Sequence, residues 1–186
     1  MRRLALGTAA LVIGVRRAYR FYASGAVTLD SGIGRRVRGL GPVTWKIAAD
    51  RETVFQVIAG PYLDKTPRSM KDHLHIWERG TDMVLAAHYT KVKCGLTSTV
   101  ETVQFDRPER INFRLVRGPV PHVKESFVLE TAGSGSALTW EGELGTDFGR
   151  LGELWGRVVA RSWEKAVRAS MKAIVAEAER RSRANA

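Results

Sequence analysis

At 186 residues the chain is long enough for one domain with a sizeable core plus an extension. Its 26% charged and 44% hydrophobic residues are those of a globular protein, and the single cysteine, Cys94, excludes an internal disulfide and suits a reducing compartment. The net charge of +11 is unevenly placed: residues 1–41 hold eight arginines against Asp30 alone, +7, leaving +4 for the other 145 residues. The folded body is therefore only mildly basic, and no specific nucleic-acid partner is expected.

The arm opens with an unbroken run of apolar, Gly and Thr residues from Leu4 to Val15, flanked by Arg2-Arg3 and Arg16-Arg17. As a helix it spans about 18 Å against roughly 30 Å of hydrocarbon, too short for a comfortable crossing. A secretory signal is a second reading, but its cleavage region would be loaded with arginines. A helix packed on a protein partner is a third. The favoured expectation is a membrane-associating segment over residues 1–22, on the cytoplasmic side. Arg2, Arg3, Arg16 and Arg17 would meet an anionic leaflet, with Tyr19 and Tyr22 at headgroup level. Residues 23–41, with five glycines and no helical period, read as a linker.

The domain is expected over 42–181, with 182–186 a tail. Val43 to Ala49 reads as a strand, and Asp50 caps a short helix that buries Val54, Phe55, Val57 and Ile58 and ends at Gly60-Pro61. A turn or second short helix covers 61–72. Strands follow near 73–78, 83–90, 97–105, 111–117, 123–130 and 137–144. A long terminal helix opens at Thr146 or Asp147, with Phe148, Leu151, Trp155, Val158, Val159, Ser162, Ala166 and Ala169 in helical period. Gly149, Gly152 and Gly156 share one side of its first turns, which suits either close approach to the sheet or a loose, gating end.

A meander has one apolar face to cover, and a single helix across a curved sheet tends to leave a hollow. The order of elements and the Asp50–Phe55 run D-x-E-x-V-F resemble the START-like, or SRPBCC, helix-grip superfamily, which includes polyketide cyclase/dehydrases and carbon monoxide dehydrogenase subunit-like proteins. The resemblance covers about residues 42–181. It implies an α+β helix-grip fold, a curved antiparallel sheet wrapped around the long C-terminal helix, with a cavity between them. It carries over no catalytic residue, because members hold lipids, sterols, quinones or polyketides without a shared motif.

Matching inward faces across the hairpins gives four rows. They are Phe105, Ile111, Leu129, Leu138; then Val103, Phe113, Phe127, Trp140; then Glu101, Leu115, Glu125, Gly142; and last Thr99, Arg117, Val123, Leu144. The expected cavity is lined by Phe105, Phe113, Leu115, Phe127, Leu129, Trp140 and Trp155. Its polar end holds Glu101, Arg117 and Glu125, with Gly142 leaving space beside Glu125. The alternative is a bulge near Val100 that turns Glu101 outward and leaves Glu125 and Arg117 as a rim ion pair. A glycosidase pair of glutamates is excluded, since Arg117 between them would depress both pKa values where an acid needs one raised.

His73 and His75 share a strand face without a third ligand, so no metal and no cofactor are expected. His88, in phase with Val84 and Ala86, reads as a satisfied sheet histidine. The expected function is binding or transport of a hydrophobic small molecule, a lipid, quinone or polyketide, near a membrane. The alternative is a cyclase or aromatase using the same cavity, which requires an ionisable residue deep inside it. Protein partners are left open.

Overall fold

The computed structural model describes Gly14 and residues 17–64, 66–92 and 95–184. The expectations for Arg2, Arg3, Arg16, nearly all of the Leu4–Val15 run and Cys94 lie outside the described residues. A helix, α1, covers residues 17–23. Then come β1 (Arg36–Ile47), α2 (Arg51–Leu63), β2 (Leu74–Arg79), β3 (Met83–Val92), β4 (Gly95–Asp106), β5 (Arg110–Arg117), β6 (His122–Ala132), β7 (Gly135–Thr146) and α3 (Gly149–Ala184). The strands form one antiparallel sheet in the order β1-β7-β6-β5-β4-β3-β2. With α3 packed on its inner face, this is the helix-grip α+β architecture that the order of elements implied.

Local chemistry explains each boundary. Asp50 caps α2 by accepting from Thr53 N at 2.9 Å and Thr53 Oγ1 at 2.6 Å. The helix does not stop at Gly60-Pro61 as expected. Proline removes one helical N–H but leaves the following backbone free to continue, and the turn closes when Asp64 N donates to Gly60 O at 3.0 Å. That extra turn carries Tyr62 into the interior.

β1 begins at Arg36 rather than Val43. Its first part pairs with Thr146–Gly142 of β7, and the register shifts between Leu40 and Val43 around Gly41-Pro42. The rest of the expected linker, residues 23–35, is a strap tied to the body. Ser98 N donates to Ser24 O at 2.8 Å, Gly118 N donates to Thr28 Oγ1 at 2.7 Å, and Phe148 N donates to Ile33 O at 2.7 Å. Asp147 holds its far end, accepting from Ser31 N, Gly32 N and Arg35 Nε at 2.7, 2.9 and 2.7 Å.

α3 starts two residues later than expected, because Phe148 and Gly149 both take positive φ, 67° and 58°. A Cβ on Gly152 would meet Asp147 O, and one on Gly156 would meet Thr146, so these glycines serve close approach to the end of β7. The side of α3 turned inward carries Gly156, Val159, Ala160, Val167, Met171 and Ala178. Of the series expected from the period, Phe148, Leu151 and Val158 point to solvent. The core is the sheet's inner face against α2 and α3, with Trp140, Ile111, Val103 and Leu138 fully buried. Each such large apolar side chain contributes about 1.5–3 kcal/mol.

Candidate functional site: the acidic interior of the sheet

The inner face is built from four neighbouring strands. β4 and β5 pair as expected at Phe105–Ile111, Val103–Phe113 and Glu101–Leu115. β6 and β7 do so at Leu129–Leu138, Phe127–Trp140, Glu125–Gly142 and Val123–Leu144. Two departures rearrange the polar residues.

The first is between β5 and β6, where Ile111 faces Phe127 and Phe113 faces Glu125, two residues away from the expected register. A shift of two leaves every side chain on its own face, so the apolar pattern cannot distinguish the two pairings. Its consequence is chemical: Glu125 now stands in the row of Val103 and Phe113, deeper among the aromatic rings.

The second is a bulge between β4 and β5. Val100 pairs with Arg117 and Glu101 with Leu115, leaving Val116 of β5 as the extra residue. Arg117 is thereby put on the face of Val100, opposite that of Glu101. Its guanidinium lies 5.7 Å from the Trp77 ring centroid, and its Nε is buried without a hydrogen-bond partner. The expectation that Arg117 sits beside both glutamates is therefore corrected. The bulge near Val100 exists, but it inserts its residue in β5, so Glu101 stays inside at 3% exposure.

Glu125 is 7% exposed and lies at the centre of the site. Two indoles donate to its Oε2, Trp140 Nε1 at 2.8 Å from β7 and Trp163 Nε1 at 2.9 Å from α3. A Cβ on Gly142 would lie 2.8 Å from Glu125 Cβ and 2.4 Å from Lys124 O, so the glycine admits close strand approach and not an empty space. Burial raises the Glu125 carboxyl to about 7, the charge of Glu101 adds to the rise, and the indole N–H groups partly offset it. Near neutral pH this acid is divided between its two protonation states.

Around it, Phe113 packs edge-on against Phe127 at 5.3 Å, and Tyr62 lies against Phe105 and Phe113, each at 6.0 Å. Burial first, then the charges of Glu101 and Glu125, push the Tyr62 hydroxyl well above its ordinary pKa, so it stays a neutral donor. His88 presents Nδ1 to Glu101 Oε2 at 3.9 Å and stacks against Tyr62, and its buried Nε2 has no partner. That histidine is not the satisfied one the sequence suggested.

The structure thus brings together Phe105, Phe113, Phe127, Trp140, Glu101 and Glu125, with Leu115 and Leu129 buried beside them. Trp155 stands apart, donating from Nε1 to Pro119 O at 2.7 Å and packing on Tyr19 and Tyr22 of α1. Three members escaped the sequence reading. Tyr62 was hidden by the expected helix stop. Trp163 falls seven residues after Gly156, on the inward side of α3, and its spacing was the available signal. His88 was placed on the inner face, but its neighbourhood to Glu101 requires the β3–β4 register, in which Thr99 pairs with it. Among the described residues no cluster of His, Cys, Asp and Glu suits a metal ion. Two open depressions lie outside this interior. One, of about 370 Å³, is lined by Asp50, Arg51, Glu52 and Gly135 among others. The other, of about 540 Å³, is lined by Arg36, Arg38, Glu153 and Arg157 among others.

A family model described as "Polyketide cyclase / dehydrase and lipid transport" matches residues 43–179. No curated protein matches the chain in sequence. Among solved structures, the Zhui aromatase/cyclase from Streptomyces sp. R1128 is similar with a TM-score of 0.63 at 17% identity, over 79% of this chain and 95% of that one. The TTHA0849 protein from Thermus thermophilus gives 0.60 at 15% identity, over 76% and 97%. A START superfamily protein from Mycobacterium smegmatis gives 0.50 at 12% identity, over 81% and 99%. At these identities the likeness is one of fold.

Proposed function

We infer from one premise, that this chain belongs to the polyketide cyclase/dehydrase and lipid transport family, that it binds a hydrophobic small molecule bearing a polar oxygen between the sheet and α3. The carrying observation is Glu125, a buried carboxyl poised near neutrality and aimed by two indoles into a ring of aromatic side chains. Protonated, it donates to a carbonyl or ether oxygen; ionised, it accepts from a hydroxyl. The rings supply affinity: removing about 300 Å² of ligand apolar surface from water offers roughly 7 kcal/mol before ordering costs. Because those rings pack on one another, the ligand enters by parting them.

Native mass spectrometry of the purified full chain tests this, with retention of an apolar small molecule expected. Titration with 1-anilinonaphthalene-8-sulfonate gives a second readout, since a ligand at Glu125 changes the emission of Trp140 and Trp163. A chain that retains nothing and shows no saturable dye binding sinks the reading.

The β5–β6 register supports a second reading, a cyclase. Such an enzyme needs an ionisable group deep in the cavity, and Glu125 lies in the row of Phe113. Ionised, Glu125 would take a proton from a carbon between two carbonyls; that carbon would then bond to a distant carbonyl, whose oxygen would leave as water. Turnover of a poly-β-ketone that disappears in Glu125→Gln, while dye binding persists, would favour the enzyme over the carrier.

A further inference from the structure

α3 has two apolar sides. One is the inward side described above. On the other, Leu151, Leu154 and Val158 recur at i, i+3 and i+7 and are 79%, 58% and 44% exposed. Large apolar residues grouped this way on a helix that is already packed need a partner.

Three observations indicate which partner. The stripe continues into α1, because Tyr19 and Tyr22 pack on Trp155, at 5.6 and 5.5 Å, and Phe21 beside them is exposed. The chain upstream of α1 is the Arg-flanked apolar run Leu4–Val15, so that run leaves the body at this face. The surroundings are basic: from Arg150 to Lys172 the helix carries six Lys or Arg against Glu153 and Glu164. Arg157, Arg161, Lys165 and Arg168 are all exposed, and Glu153 is engaged by Arg36 at 2.9 Å. At 100° per residue, Arg161, Lys165 and Arg168 fall along one flank of the apolar stripe. An apolar strip with a cationic flank matches the interface of an anionic bilayer, where the strip enters the acyl boundary and the arginines stay at the phosphates.

We propose that the outer face of α3, at Leu151, Leu154 and Val158, together with α1, is a docking surface for an anionic lipid bilayer. It holds the mouth of the grip, where Trp155 bonds the 118–121 turn, against the membrane. The proposal is independent of what the interior binds, and the acyl region would be shared between this face and the upstream run. No helix among the described residues is long and apolar enough to cross a membrane, so this contact is lateral.

The test is co-sedimentation of the full chain with vesicles of phosphatidylcholine plus phosphatidylglycerol, and of phosphatidylcholine alone. Binding to the mixed vesicles, weakened by salt, is expected. Leu151→Asp with Leu154→Asp should weaken it by about tenfold or more, and Arg161→Glu with Arg168→Glu should flatten its salt dependence. All four positions are exposed, and an unchanged circular dichroism melt separates lost docking from lost fold. Vesicle binding untouched by the Asp pair would overturn the proposal and leave the upstream run as the sole anchor. So would a dimer that Leu154→Asp splits while vesicle binding stays the same. An environment-sensitive dye at Leu154→Cys, in a Cys94→Ser background, should shift blue only when mixed vesicles are added. A dye already blue without them means the chain's own residues 4–15 cover the face, which also overturns it.

Discussion

Two buried carboxylates sit at opposite ends of the same strand system and behave in opposite ways. Asp147, just after β7, and Glu125, in the middle of β6, are 3% and 7% exposed. Each is fully engaged by donors. Yet Asp147 is held well below the usual carboxylate range, chiefly by Arg35 and then by the Ser31 and Gly32 N–H groups, whereas Glu125 is pushed up to about 7. The donors explain the difference. Asp147 meets a guanidinium and backbone amides, and Glu125 meets two neutral indoles while another carboxylate, Glu101, adds its charge. Burial alone does not mark a functional acid. The charge of its partners decides whether a buried carboxyl is a clamp or a titrating group.

The sharpest way to break this comparison is at the clamp. Asp147→Ala leaves Arg35 and two backbone N–H groups without their acceptor and releases the strap. A loss of about 3–5 kcal/mol in urea unfolding is expected, together with new protease cleavage within residues 23–35. Stability unchanged by the substitution would show that the strap is held elsewhere. The sign with pH follows from the depressed pKa. The Asp147 contribution is complete above its ordinary pKa near 4 and is lost as acid carries the pH down through the folded value.

Glu125 should show the reverse sign. Its folded pKa lies above its ordinary 4.5, so the folded state binds the extra proton between the two values. Stability is then greatest below about 4.5 and declines by about 3 kcal/mol as pH rises to about 7. Glu125→Gln should remove that slope and be the more stable protein at alkaline pH. Melts across this range check it, and a variant that keeps the slope would assign the titration to another group.

Smaller effects refine the site. Trp163→Phe deletes one indole donor from Oε2, so Glu125 should titrate still higher and the fold lose about 1 kcal/mol. A pH titration of the remaining tryptophan emission would follow the shift. Smallest of all, Arg117→Ala should cost less than about 1 kcal/mol through its lost contact with Trp77, with ligand affinity untouched. A marked loss of affinity would restore Arg117 to the polar end of the interior.

Much of this was legible in the residues. The Asp50–Phe55 run declared a capped helix, because the cap and its Thr53 partner are three residues apart. The alternation in β4 to β7 declared which residues face inward, because a strand's side chains alternate whatever its neighbours do. That parity placed Glu101, Glu125, Phe113 and Trp140 on the inner face. The sequence by itself therefore determined the order of elements, the fold class and the membership of the inner face, all encoded in spacings of two to four residues.

Tertiary structure decided the rest. The β5–β6 register moved Glu125 beside Phe113, and shifts of two residues preserve parity, so no local pattern records them. One extra residue, Val116, took Arg117 away from the glutamates. α3 is apolar on two sides, and only packing chose the side with Gly156, Val159 and Ala160, because small residues let the helix come closest to β7. The bonds of Trp163 to Glu125 and of Asp147 to the strap join residues separated by 38 and by more than 110 positions. Contacts over such distances in the chain exist only once the sheet has closed, which is why the site's chemistry, unlike its fold, is absent from any short stretch of sequence.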